Sequence, residues 1–181
     1  KLSQSATHMS PSGMKSASCG RSKRYGLDVL GGGNTSLLFQ QLVEEQQIAI
    51  NVGTFAYTSL HDEGPAAIFA TPAPGTDLET LETALMVALR AQLAEGFDEA
   101  DVTRVKNSKA ASAIYARDSQ ENMANTFGAA LAIGTPIEDI LSYPEDVRAV
   151  TVEQALDAVR SVFGEDKHFI EAHLLPAEEA R

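Results

Sequence analysis

Hydrophobic positions along this chain change period several times, and each change predicts an element. Leu78, Leu81, Leu85, Leu89 and Leu93 recur at spacings of three and four, which sets them on one face of an amphipathic helix. Thr76 with Glu79 makes a Thr-x-x-Glu capping box at its start, and Gly96 ends it. Upstream, IAINVGTFAYTSL alternates and is rich in β-formers, so it predicts a strand. HDEGP is a turn by composition, and AAIFATPAPG predicts a second strand, the hairpin partner of the first.

The rest of the chain follows the same logic. Residues 1–24 are rich in Ser, Lys and Arg with weak alternation, and predict one ragged strand plus a loop. YGLDVL predicts part of a helix, which GGG breaks because glycine carries a large conformational entropy cost there. Asn34 or Thr35 then caps a helix through SLLFQQLVEEQ, with Leu38 and Leu42 four apart and Leu37 and Phe39 widening the stripe. Beyond Gly96, Asp98 caps a helix beginning EADVTRVKNSKAASAIYA, and Met123, Phe127 and Leu131 carry another to Gly134. Thr135-Pro136 with Glu138 opens a short helix with proline at its first position, and Pro144 breaks the chain again. Thr151 with Gln154 is a second capping box, opening a helix over TVEQALDAVRSVF that Gly164 stops. KHFIEAHLLP predicts a closing strand. Strand, helix, hairpin, several helices, strand is the order of an α+β two-layer sandwich, a mostly antiparallel sheet with helices packed on one face.

Composition narrows the partners. The chain has 181 residues and a formal net charge of -11. A field of that sign repels nucleic acid phosphates and anionic membranes, and it suits basic or unfolded polypeptides, although acidity also serves solubility. No apolar run approaches the ~20 residues that span a bilayer, so no membrane insertion is expected. The opening KLSQSATHMS lacks the apolar centre of a signal peptide and reads as an internal start. The single cysteine, Cys19, permits no internal disulfide and sits beside the basic cluster RSKR, where it reads as a bystander.

The stretch HFIEAH, His168 to His173, is the nearest thing to a metal motif. A zincin needs its two histidines four apart on a helix, with a glutamate beside the metal-bound water. Here they are five apart on a predicted strand, where alternation sends His168 with Ile170 and Ala172, and Phe169, Glu171 and His173 to the other side. Glu171 and His173 could share an ion, but two ligands make a weak site. His61, with Asp62 and Glu63, reads as a charged turn, and His8 lies in a polar stretch with no visible partner. GGGNTS lacks the lysine of a phosphate-binding loop and follows a helix rather than a strand, so it reads as a tight interhelix turn. No Gly-x-Ser-x-Gly elbow exists. The residues alone assemble no catalytic set and no metal site.

At LGGGNTSLLFQQLVEEQQIAINVG the chain resembles the C-terminal, non-zinc domain of bacterial pitrilysin/insulinase-type zinc peptidases, in the branch related to the mitochondrial processing peptidase. FATPAPGTDLETLETAL, GFDEADVTRVKNSKAASAIYARDSQENMANTFGAALAIG and VRAVTVEQALDAV extend the resemblance over roughly residues 25–176. It implies three segments: 1–24 as a ragged N-terminal strand and loop, 25–176 as an inactive peptidase-like domain, and 177–181 as a tail. In this family one half carries His-x-x-Glu-His and Zn²⁺, and the other closes a chamber over an extended peptide. The closing half often carries an Arg and a Tyr seven positions apart. Their positions here are occupied by Val43 and Ile50, neither of which can donate a hydrogen bond from its side chain. The resemblance thus implies a chain with no cofactor and no catalytic residue of its own, with Zn²⁺ in a homologous partner half, and with unfolded peptide as the molecule enclosed. The same fold also serves as a scaffold without proteolysis in respiratory complexes, which is the alternative. A third possibility is an independent metal-binding enzyme using His61 or His173. Bacterial relatives often occupy the cell envelope, and the resemblance extends that expectation here.

Overall fold

The computed structural model describes residues 5–10, 17–57, 65–165 and 167–175. Their elements are β1 (Ser5–Ser10), α1 (Ala17–Gly31), α2 (Leu37–Phe39), which widens into a π-helical segment (Gln40–Glu45), β2 (Ala49–Ala56), β3 (Ala66–Pro72), α3 (Leu78–Glu95), α4 (Glu99–Ala116), α5 (Gln120–Ala132), α6 (Ile137–Leu141), α7 (Tyr143–Ala149), α8 (Val152–Phe163) and β4 (Ile170–Leu174).

The four strands form one antiparallel sheet in the order β2-β3-β1-β4. β2 and β3 pair as the expected hairpin, from Ala56 opposite Ala66 to Ala49 opposite Pro72, with an irregularity between Ala49 and Asn51. The HDEG part of the expected turn lies outside the described residues. β1 sits between β3 and β4, so the first described strand is central and the last described one is an edge.

Alternation divides the sheet into two faces. Val52, Ala66, Ile68 and Ala70 are buried in the core shared with the helices, and the Thr54 hydroxyl donates to the Leu27 carbonyl of α1 at 2.6 Å. Directly opposite residues share a face. By register, Gly53, Phe55, Phe69, Ile170, Ala172 and Leu174 therefore belong to the other face. The helix layer lies on one side of the sheet, as the α+β sandwich predicts.

α1 is the centre of that layer. It packs against α8, β2 and α4, and buries Tyr25, Leu27, Val29 and Leu30. Lys109 of α4 meets Asp28 at 2.8 Å, a half-buried ion pair that fixes the two helices. Residues 17–24, expected as loop, are instead the first turns of α1, which runs through position 25 without a break. Their polar composition hid a helix whose stability comes from tertiary packing rather than from its own amphipathic stripe.

α3 buries Leu81, Leu85, Leu89 and Leu93 as expected, and Gly96 ends it with φ of 95°, a conformation that favours glycine. The cap is one residue later than expected: Asp77, not Thr76, accepts from the Thr80 amide at 2.8 Å. The Thr151–Gln154 capping box of α8 is present in both directions. Arg160 of α8 donates twice to the Leu93 carbonyl, at 3.0 and 2.5 Å, and so caps the last turn of α3. Pro144 begins α7 instead of breaking the chain, because a missing amide costs nothing in a first turn. Ser36, not Asn34 or Thr35, precedes α2, and Pro136 rather than Thr135 is the N-cap of α6.

Candidate functional site

The sequence placed its strongest metal candidate in HFIEAH, and the fold separates that stretch into two parts. His168 is exposed and precedes β4, in residues without regular structure. His173 lies within β4. The two imidazoles therefore do not meet as a zincin pair, and the stretch does not fit the catalytic zinc of the family. Alternation still holds within β4. Glu171 and His173 point toward the helix layer, where His173 Nε2 lies 3.1 Å from Glu82 Oε2 of α3. One ligand atom from each of Glu82, Glu171 and His173 lies within 4.8 Å of the others.

Glu82 is the functional candidate that sequence reasoning missed. It sits on the flank of α3 next to buried Leu81 and half-buried, in a helix that pattern alone marked only for its leucines. Nothing local in the sequence links it to β4. Further along α3, Met86, Leu89, Arg90 and Leu93 line a shallow groove of 510 Å³ with Arg160, Phe163, Lys167 and Phe169. Phe169 there shares the orientation expected for it, on the side of Glu171 and His173.

The remaining candidates are dispersed. His61, Asp62 and Glu63 lie outside the described residues. His8 is in β1, opposite Glu171 in the register. Cys19 and RSKR are in α1 rather than in a loop. GGGNTS is the interhelix turn that was expected. Gly33 has φ of 129°, and buried Ser36 donates from its hydroxyl to the Gly33 carbonyl at 2.6 Å, closing the turn on itself. Thr35 Oγ1 accepts from Arg104 of α4 at 2.6 Å, so this turn is braced by protein groups. Val43 lies in the π-helical segment, half-buried against the core, while Ile50 is exposed on β2.

The other distinctive surface is the sheet face that no described helix covers. Phe55 packs edge-on with Tyr57, ring centroids 5.6 Å apart, and lies 6.5 Å from Phe69. Gly53 leaves room beneath this cluster, since a Cβ there would meet the Phe69 ring. Ile170 is 65% exposed and Leu174 54%, on the same face at the opposite edge. No described helix is long and apolar enough to cross a membrane.

Residues 24–109 match the family model described as the peptidase M16 inactive domain. No curated protein sequence matches the chain. Among solved structures, the inactive peptidase domain from Bordetella parapertussis is similar with a TM-score of 0.84 and 16% identity, over 97% of this chain and 94% of that one. A protease from Helicobacter pylori is similar with a TM-score of 0.80 and 18% identity, over 96% of this chain and 40% of that one. A peptidase M16 inactive domain from Pseudomonas fluorescens gives 0.77 and 19%, over 95% and 41%. The chain thus spans nearly all of the first and less than half of the other two. The match over residues 24–109 and the agreement in fold across nearly the whole chain point the same way: this chain is similar to the peptidase M16 inactive domain and shares its fold.

Proposed function

We propose that this chain is the non-catalytic half of a zinc metalloendopeptidase, closing a peptide-binding chamber opposite a zinc-bearing half carried elsewhere. The observation that carries the reading is the uncovered sheet face. Phe55, Tyr57, Phe69, Ile170 and Leu174 make an apolar surface across both edges of a sheet whose other face is packed. A soluble protein leaves such a surface open where something is to lie against it. An extended peptide suits it, because its alternate side chains can sit among aromatic rings without a deep pocket. Two of the solved relatives are more than twice as long as the part this chain matches, which leaves room for a second half in proteins of this kind. Val43 and Ile50 in place of the Arg and Tyr put the polar chemistry on the partner's side of the chamber, together with Zn²⁺.

The test is reconstitution with the zinc-bearing half encoded upstream or in a neighbouring gene. Alone, this chain is expected to leave an unfolded casein-like substrate intact. Mixed with the partner, it should raise cleavage well above that of the partner alone. Phe55→Asp with Ile170→Asp should then raise KM more than it lowers kcat, since it alters the wall and not the zinc. Cleavage by this chain alone would overturn the proposal. So would an assembled pair no more active than the zinc half by itself, the result expected of a scaffold.

A further inference from the structure

We propose that Glu82, Glu171 and His173 form a binding site for one divalent transition cation, which clips the edge strand β4 to helix α3. The site is independent of the chamber reading, because it lies on the helix side of the sheet and not on the uncovered face.

Three observations converge on it. The first is the donor set. One imidazole and two carboxylates come from two elements remote in sequence, and one donor atom of each lies within 4.8 Å of the other two. The second is the spacing. Donors around a tetrahedral or octahedral ion with bonds of about 2.0–2.2 Å are separated by roughly 3–3.6 Å. The His173 Nε2 to Glu82 Oε2 distance of 3.1 Å falls within that range already, and a Glu171 oxygen lies within 4.8 Å of both partners' ligand atoms. The third is the backbone beneath. Glu171 and His173 are two apart on a strand, so they share a face without distortion.

The donor types select the ion. An imidazole disfavours Ca²⁺ and Mg²⁺, which take oxygen, and suits Zn²⁺, Co²⁺ or Ni²⁺. Two carboxylates and a neutral imidazole carry the charge that balances a divalent ion. Water would supply the remaining positions, since both β4 residues are exposed and Glu82 is half-buried. A clip has a purpose here. Every described position of β4 is exposed, and among the described residues the strand is paired on one side only, so few apolar contacts hold it to the helix layer. The sequence alone offered two ligands at this edge, and the fold supplies the third. The ligand set, one imidazole and two carboxylates from a strand and a helix, differs from the His-x-x-Glu-His set on one helix.

The chain is freed of metal with a chelator and titrated with ZnCl₂ by calorimetry, with thermal melts in parallel. The expected result is one equivalent of Zn²⁺ per chain and a higher Tm in its presence. Glu82→Gln and His173→Ala should each weaken binding by at least about tenfold and abolish the Tm shift. Glu79→Gln, on the same helix, should change neither. The cobalt form should show visible absorption that both variants lose. Non-saturable binding would overturn the proposal, as would saturable binding retained by either variant, which places the ion elsewhere. Displacement of Zn²⁺ by an excess of Ca²⁺ would overturn the assignment to a transition cation.

Discussion

Helices α8 and α5 are nearly equal in length and similarly rich in alanine and aliphatic residues, yet they contribute very differently to the fold. α8 buries Ala155, Leu156, Ala158, Val159, Val162 and Phe163, carries a complete capping box and caps α3 through Arg160. α5 buries none of its residues; Met123 and Phe127 are half-buried and Leu131 is 55% exposed. The region around α5 behaves alike: Ile114 and Tyr115 at the end of α4, and Ile137 and Leu141 of α6, are also exposed. The difference is in what lies opposite. α8 faces α1, whose Gly26 allows the two backbones to approach, whereas α5 contacts chiefly the short α6. Periodicity makes a helix, but only a partner surface turns its stripe into core. Stability should therefore concentrate around α1, α3 and α8, and the α5–α6 region should open at lower free energy.

The sharpest way to break this contrast is a pair of leucine truncations. Leu85 in α3 is fully buried within the core cluster, so Leu85→Ala should cost about 3 kcal/mol from lost transfer energy and the cavity left behind. Leu131→Ala in α5 removes the same atoms from an exposed position and should cost less than about 0.5 kcal/mol. Urea denaturation of both variants measures the two values. Equal costs would mean that the two regions share one core.

A smaller effect tests the contact beneath α8. A methyl group at Gly26 would overlap Val159 Cγ2 and the Ala155 carbonyl. Gly26→Ala gains about 1 kcal/mol of helix propensity. Backbone atoms of α8 cannot yield as a flexible side chain would, so overpacking should outweigh that gain by about 2 kcal/mol. A variant of unchanged or increased stability would show that α1 and α8 can separate freely.

The same contrast explains what the sequence revealed. The leucine stripe of α3, the β2–β3 hairpin and the Thr151–Gln154 box are local signals, and each is realised in place. The cap of α3 slipped by one because Thr76–Glu79 and Asp77–Thr80 both have a capping spacing, and only geometry chooses between them. The full length of α1 is not legible in the sequence because its early turns are polar and its later ones are buried on nearly every side, which erases a helical stripe. Pro144 suggests an end because a proline is punctuation in sequence, while its place at the start of α7 depends on the preceding turn. The Glu82–Glu171–His173 group was half legible. Two of its members share a strand face by simple alternation, but the third depends on which helix the sheet edge meets, and that is decided by the whole topology.

Capping refines the comparison at about 1 kcal/mol. The Thr151 hydroxyl accepts from the Gln154 amide at 3.1 Å, and the Gln154 side chain accepts from the Thr151 amide at 3.0 Å. Thr151→Ala removes one of these bonds at the entrance to the best-packed helix and should lower stability by about 1 kcal/mol. Ser119, which caps α5 through the Asn122 amide at 3.2 Å, offers the matched substitution. Ser119→Ala should affect global unfolding less, because the helix it starts contributes little to the core, and should raise amide exchange locally in α5. An equal effect on global unfolding would tie α5 to the core after all.

The smallest effect lies at the start of α3 and depends on pH. Asp77 is held below its ordinary carboxylate pKa, first by the hydrogen bond from the Thr80 amide and then by that from the Thr80 hydroxyl. Both bonds favour the ionised form, which exists less readily in the unfolded chain. The folded pKa is thus the lower of the two. The stability it contributes is fully present above the unfolded carboxylate pKa of about 4 and is lost as pH falls through the folded value. Because the group is solvent-exposed, the effect is small and weakens with salt. Asp77→Asn keeps an acceptor for the Thr80 amide but cannot titrate. Its Tm should sit slightly below that of the parent near neutral pH and converge on it in acid. A gap that stays constant with pH would mean that the cap acts by shape alone and that the charge at the head of α3 contributes nothing.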